Sequence, residues 1–193
     1  MCPPSDAASA AAGPALPAPP AEKDSLQRIA ARLSSPRIDM GLLAALRRFN
    51  PVSDGRHNLF EVQQVLLDAG INLSADHRLQ PRWALVVHCL AIVRGAHLPR
   101  SDTGMRLFDL GLSEARLRQL IEADEPLLSD LLPTLARRLA AAGQALDWWP
   151  LANLALALAL DNDAPAQARA ELARRRIVQG YLRAAAGKAS ANA

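Results

Sequence analysis

Alanine and leucine supply most of the apolar residues of this chain, and that bias narrows the fold. Both are strong helix formers, whereas the β-branched and aromatic side chains that favour strands are scarce. Half of the sequence is hydrophobic but only 4% is aromatic. The expected class is therefore all-α. The 14 prolines do not oppose this, because Pro3, Pro4, Pro14, Pro17, Pro19 and Pro20 lie outside any expected fold.

A chain of 193 residues can hold one domain or two small ones and bury a core. Residues 1–22 are Ala/Pro-rich and nearly uncharged, a composition that buries too little apolar surface to offset ordering, so a disordered tail is expected there. From there the pattern predicts about nine helices in two helical-bundle lobes, 23–98 and 99–186, with a flexible tail over 187–193. The first helix runs from Ser25 to Leu33 and stops at Ser34-Ser35-Pro36. Asp39 caps a second that ends at Asn50-Pro51, and Asn58 caps a third that reaches Ala69 before Gly70. Pro81 opens an almost uniformly apolar helix ending near Gly95, the expected buried helix of the first lobe. Residues 96–103 read as the linker. Beyond it come Gly104–Leu110, then Ser113–Ala123 with Ser113 as cap, then a leucine-patterned helix that Pro133 should bend or restart. Asp147 is the expected cap of Trp148–Leu160, and a last helix from Pro165 to about Ala184 would put Ile177, Val178, Tyr181 and Leu182 on one face.

Several function classes find no support. Cys2 and Cys89 do not make a disulfide framework, which fits a reducing cytoplasm. The start of the chain lacks the basic and apolar pattern of a secretion signal, and the apolar run Trp148–Leu160 is too short to span a bilayer. Four histidines are present (His57, His77, His88 and His97); His88 and Cys89 are helix neighbours that point in different directions, poor geometry for one metal. There is no phosphate-binding P-loop, dinucleotide turn or nucleophile elbow, and the acid pairs Asp124/Glu125 and Asp161/Asp163 fall at helix junctions where capping and solvation explain them. No catalytic residue, metal or cofactor is expected.

The basic residues carry more information. Of the 22, 20 are Arg, and only Lys23 and Lys188 are Lys, giving a formal charge of +3 and a pI near 9.4. Arginine offers a planar fork suited to phosphate, although a GC-rich genome also enriches Arg and Ala, so position must decide. Arg47 and Arg48 close a helix, where the macrodipole alone favours cations, and Arg94 sits similarly. Arg137 and Arg138 cannot both face a core. Arg116 and Arg118 flank Leu117, and Arg169, Arg176 and Arg183 are spaced to form one stripe. Without aromatics among them in sequence, backbone contact is a better expectation than base stacking. The candidate nucleic-acid-binding residues are Arg47, Arg48, Arg94, Arg116, Arg137, Arg138 and Arg176.

Three motifs resemble one family. Leu42-Leu43-Ala44-Ala45-Leu46-Arg47-Arg48-Phe49-Asn50-Pro51 is similar to an "A-x-L-R-R-x-x-x-P" segment, with the proline closer to the arginine pair. Gly104, Leu107 and the run from Ser113 to Asp124 resemble "G…L…S/N-E-x-R-(hydrophobic)-x-x-L-(hydrophobic)-x-A". Leu135-Ala136-Arg137-Arg138-Leu139, followed by Leu146-Asp147-Trp148-Trp149-Pro150-Leu151, resembles "L-x-R-x-L…(hydrophobic)-D-W-x-x-L". Their order over residues 26–185 is similar to that of the CasB-type small subunit of the type I-E CRISPR surveillance complex, Cascade. The resemblance implies a two-lobed helical, non-catalytic protein of antiviral defence. It implies two copies joined head to tail, alongside the backbone and large subunits, supporting the guide CRISPR RNA and holding the displaced non-target DNA strand of the R-loop. It places phosphate contact on Arg47, Arg48, Arg116 and Arg137 or Arg138, and makes Asp147 a helix cap and Trp148 an apolar anchor. A helical adaptor whose arginines meet acidic proteins is the alternative; a helix-turn-helix regulator lacks its polar recognition helix.

Overall fold

The computed structural model describes residues 22–48, 59–73 and 77–191, and all secondary structure among them is helical apart from one isolated bridge. The expected tail, the Asn50-Pro51 stop, His57 and the Asn58 cap lie outside these residues. The helices are α1 (Glu22–Ser34), α2 (Met40–Arg48), α3 (Leu59–Asp68), α4 (Leu79–Ile92), α5 (Thr103–Asp109), α6 (Glu114–Ile121), α7 (Leu127–Ala142), α8 (Trp149–Ala157) and α9 (Ala164–Ala191). The all-α class is therefore what the described residues show.

Helix α4 explains the layout. Every residue from Trp83 to Ala91 is buried, so no face of it can meet solvent. It packs on α1, α2 and α3 from one half of the chain and on α7 and α8 from the other. One continuous apolar core therefore runs from Leu26 through to Tyr181. Helix α8 is buried along Leu151–Ala157 in the same way. Helix α9 closes the fold against α5 and α8 through Ala166, Ala170, Ala173, Ile177, Gly180 and Tyr181. The alanines and Gly180 among them, on one face of the helix, let the helices approach closely.

Four local expectations need correction. Pro133 does not restart its helix: α7 is continuous through it, and the residue is buried. Leu182 is about half exposed, because the buried stripe of α9 runs through Gly180 and Tyr181 instead. The tail expected from residue 187 is helical as far as Ala191, in keeping with the high helix propensity of its alanines. Asp147 also does more than cap, since its carboxylate accepts the backbone N–H groups of both Trp149 and Arg100, each at 2.9 Å. By contrast, Ser113 caps α6 as its position predicts, accepting the Arg116 N–H at 3.4 Å.

The segment read as a linker is fastened down. Leu98 N–H donates to the Leu146 carbonyl at 2.9 Å, within a parallel bridge that pairs His97 with Leu146. Asp147 N–H donates to Ser101 Oγ, and Thr103 Oγ1 donates to the Asp147 carbonyl, both at 2.9 Å. Trp148 N–H donates to His97 Nδ1 at 3.2 Å. The Asp147 carboxylate lies 3.9 Å from the same nitrogen.

Candidate nucleic-acid interface

The end of α4 brings together two arginines from different parts of the chain. Arg47 Nε, at the end of α2, donates to the Ala91 carbonyl of α4 at 2.8 Å. The same carbonyl accepts the Arg94 backbone N–H at 3.1 Å, and Arg94 itself holds a left-handed φ of 52° just past the helix. One turn earlier, buried His88 donates Nδ1–H to the Leu46 carbonyl at 2.8 Å, pinning α2 to α4. Arg137 of α7 lies close enough for its charge to act on both His88 and Cys89. Arg47 and Arg94 are thus brought to one helix end, and both are exposed, as is Arg137. Arg48, also exposed, bonds back to the Ala44 carbonyl on its own helix and borders a shallow hollow with Met40, Leu43 and Arg47.

The buried groups beneath this cluster are electrically quiet. Burial drives the Cys89 thiol far above the range in which it would ionise, only partly offset by Arg137, so it is inert as a nucleophile. Burial also lowers the His88 pKa; the Leu46 hydrogen bond opposes this and the Arg137 charge adds to it. The folded ring is therefore neutral at pH 7, while the unfolded ring protonates near its ordinary value of about 6.5. As pH falls through about 6.5, the unfolded state binds the extra proton first and stability is lost. Urea midpoints measured from pH 7 down to pH 5 should fall for the wild type. They should fall less steeply for His88→Leu; equal slopes would show that His88 protonates as readily in the fold.

The other candidates lie elsewhere. Arg116 and Arg138 line a cleft of about 280 Å³ between α6 and α7, floored by Leu112, Leu120, Leu131 and Leu135. Arg138 is half-buried there and donates to the Leu110 carbonyl at 3.3 Å, which gives it a structural task at the end of α5. Arg176 lies on the exposed face of α9 and lines a third hollow together with Arg100 and Arg183. Sequence spacing aligns Arg176 with Arg183 but gives no sign that Arg100 and Trp149 join them.

Some arginines are neutralised by ion pairs, while the candidates share with Arg28, Arg37, Arg100, Arg106 and Arg175 the lack of one among the described residues. Arg32 pairs with Asp68, Arg82 with Glu125, Arg118 with Glu114, Arg174 with Glu171 and Arg183 with Asp102. Among the described residues none of the seven candidates makes an ion pair. A cation left without a carboxylate beside it attracts polyanions more strongly than a paired one. Among the same residues, no His, Cys, Asp or Glu group is arranged to hold a metal, and no helix is long and apolar enough to cross a membrane.

The fold and this surface define an all-helical protein with exposed, unneutralised arginines at a helix junction. No family model matches the chain, and no curated protein or solved structure matches it.

Proposed function

We propose that this chain is a CasB-type small subunit of a type I-E CRISPR Cascade complex, a non-catalytic protein of the prokaryotic cytoplasm. It supports the guide RNA filament and holds the displaced DNA strand of the R-loop. The ordered motif series supports the family, and one observation carries the binding role. Arg47 and Arg94 meet at the end of α4 on the Ala91 carbonyl, with Arg48 next to Arg47, and no carboxylate pairs with any of the three among the described residues. Such a cluster neutralises phosphates and releases their counterions, giving affinity without reading sequence. Sequence is then read by guide pairing, and the protein handles charge and shape. The remaining partners are the backbone and large subunits and a second copy of the chain, head to tail.

The double change Arg47→Glu/Arg48→Glu should shorten R-loop lifetime in the reconstituted complex while leaving the subunit folded. Each lost phosphate contact should flatten the plot of log affinity for single strands against log salt by about 0.7. A folded double variant with wild-type R-loop lifetimes would show that these arginines do not hold the strand.

A second reading, a protein adaptor, is favoured by the α6–α7 cleft, whose leucine floor and arginine rim suit an acidic, amphipathic helix. Purification from the native host separates the two. Short RNAs with a common repeat flank support Cascade; a protein partner that survives nuclease supports the adaptor.

A further inference from the structure

The hollow beside α9 contains features that the strand-binding arginines do not need. Its volume is about 420 Å³, within the range of small-ligand pockets. Three arginines line it: Arg100 from the docked segment, and Arg176 and Arg183, two turns apart on one α9 face. The half-buried ring of Trp149, at the start of α8, lines it too.

Two carboxylates also border the hollow, and their bonds decide its sign. Asp147 is occupied by the backbone N–H groups of Arg100 and Trp149. Asp102 accepts the Met105 N–H at 3.1 Å and pairs with Arg183 at 2.9 Å. Arg100 and Arg176 are left with no ion pair among the described residues. Ser101 Oγ accepts from Asp147 N–H and so keeps its own proton to donate. Two unpaired guanidinium groups and a hydroxyl donor suit a phosphate, and a neighbouring indole suits a flat heterocycle.

We propose that this hollow binds a nucleoside phosphate, with Arg100 and Arg176 on the phosphate and the Trp149 ring against the base. The nucleotide comes either from a bound single strand, a case that rests on the strand-binding reading, or from free solution. A strand-borne nucleotide would leave its stack and seat its base in the hollow, giving the subunit one base contact among its backbone contacts.

The test uses the full chain with AMP and ribose 5-phosphate by calorimetry, and with a fluorescein-labelled single-stranded oligonucleotide by anisotropy. Trp149→Leu and Arg176→Gln should each weaken AMP binding by about tenfold, the effect expected from losing a stacked ring or a phosphate partner. Trp149→Leu should leave ribose 5-phosphate unchanged. An equal loss for the oligonucleotide places a strand nucleotide in the hollow; a loss for AMP alone assigns it to the free nucleotide. Because Arg176 is exposed, Arg176→Gln keeps the fold if Trp149→Leu does not. AMP that fails to bind, with oligonucleotide binding indifferent to both variants but weakened by Arg47→Glu/Arg48→Glu, would overturn the hollow and leave the strand reading intact. AMP binding that needs Trp149, in a protein that binds no oligonucleotide, would sustain the hollow and remove the strand reading.

Discussion

Gly104→Ala should destabilise the protein by about 3 kcal/mol, the upper end of what overpacking a close-packed interior costs. For a chain of this size that corresponds to a melting temperature lower by about 9 °C. The reason lies in how α5 meets α9. A Cβ added at Gly104 would stand 2.0 Å from the Ile177 carbonyl oxygen and 2.5 Å from the Tyr181 nitrogen. Both obstacles are backbone atoms of a helix, which no change of rotamer can move aside. The two helices would have to separate. Doing so would strain the Tyr181 hydroxyl bond to the Leu112 carbonyl at 2.6 Å and the edge contact of Tyr181 with Phe108.

Gly180, on the opposite helix, makes the comparison that tests this account. There an added Cβ would meet the Asp102 carboxylate, a side chain that can swing away. Its departure would give up the α5 cap on Met105 and the pair with Arg183, features worth about 1 kcal/mol each at most. Gly180→Ala should therefore cost less than Gly104→Ala, as read from urea midpoints. If the order were reversed, or if Gly104→Ala melted within a degree of the wild type, α5 and α9 would be free to slide, and the hollow between them would have no fixed shape.

The helices were legible in the sequence because their cause is local. Apolar period, a cap such as Ser113 and breakers such as Ser35-Pro36 each act within a few residues. Expectations failed where a local rule met a tertiary one. Pro133 could have restarted the helix, yet the packing of α7 on α4 keeps it continuous around a buried residue. Leu182 fits the apolar face by hydropathy, but contact with α5 requires glycine and alanine, so the buried stripe turns towards Gly180. The candidate site divides in the same way. Arg47 and Arg48 stand out as a helix-terminal pair, whereas the approach of Arg94 to Arg47 exists only once α2 and α4 are assembled. Arg100, Trp149 and Arg176 lie on three separate elements. The absence of aromatics beside arginines in sequence therefore said nothing about their neighbours in space.

Trp148→Ala should cost about 4 kcal/mol, in the range for deleting a buried aromatic ring and more than the loss expected at Gly104. The side chain is 2% exposed, and its Nε1–H donates to the Ala96 carbonyl at 3.1 Å. Truncation would leave both a cavity and an unpaired acceptor at the place where the segment after α4 is fastened to the start of α8. Trp148→Phe separates the two contributions: it keeps most of the ring but loses the N–H, so it should cost about 1–3 kcal/mol for the orphaned carbonyl. The adjacent Trp149 is half-buried at the lip of the hollow, and Trp149→Leu should shift the urea midpoint little by comparison. This contrast protects the functional argument. If Trp149→Leu weakened nucleotide binding at nearly wild-type stability while Trp148→Ala lost binding only as it lost structure, the indole at 149 would act on ligand and the indole at 148 on the fold. If the two variants lost stability equally, no binding loss at Trp149 could be read as contact.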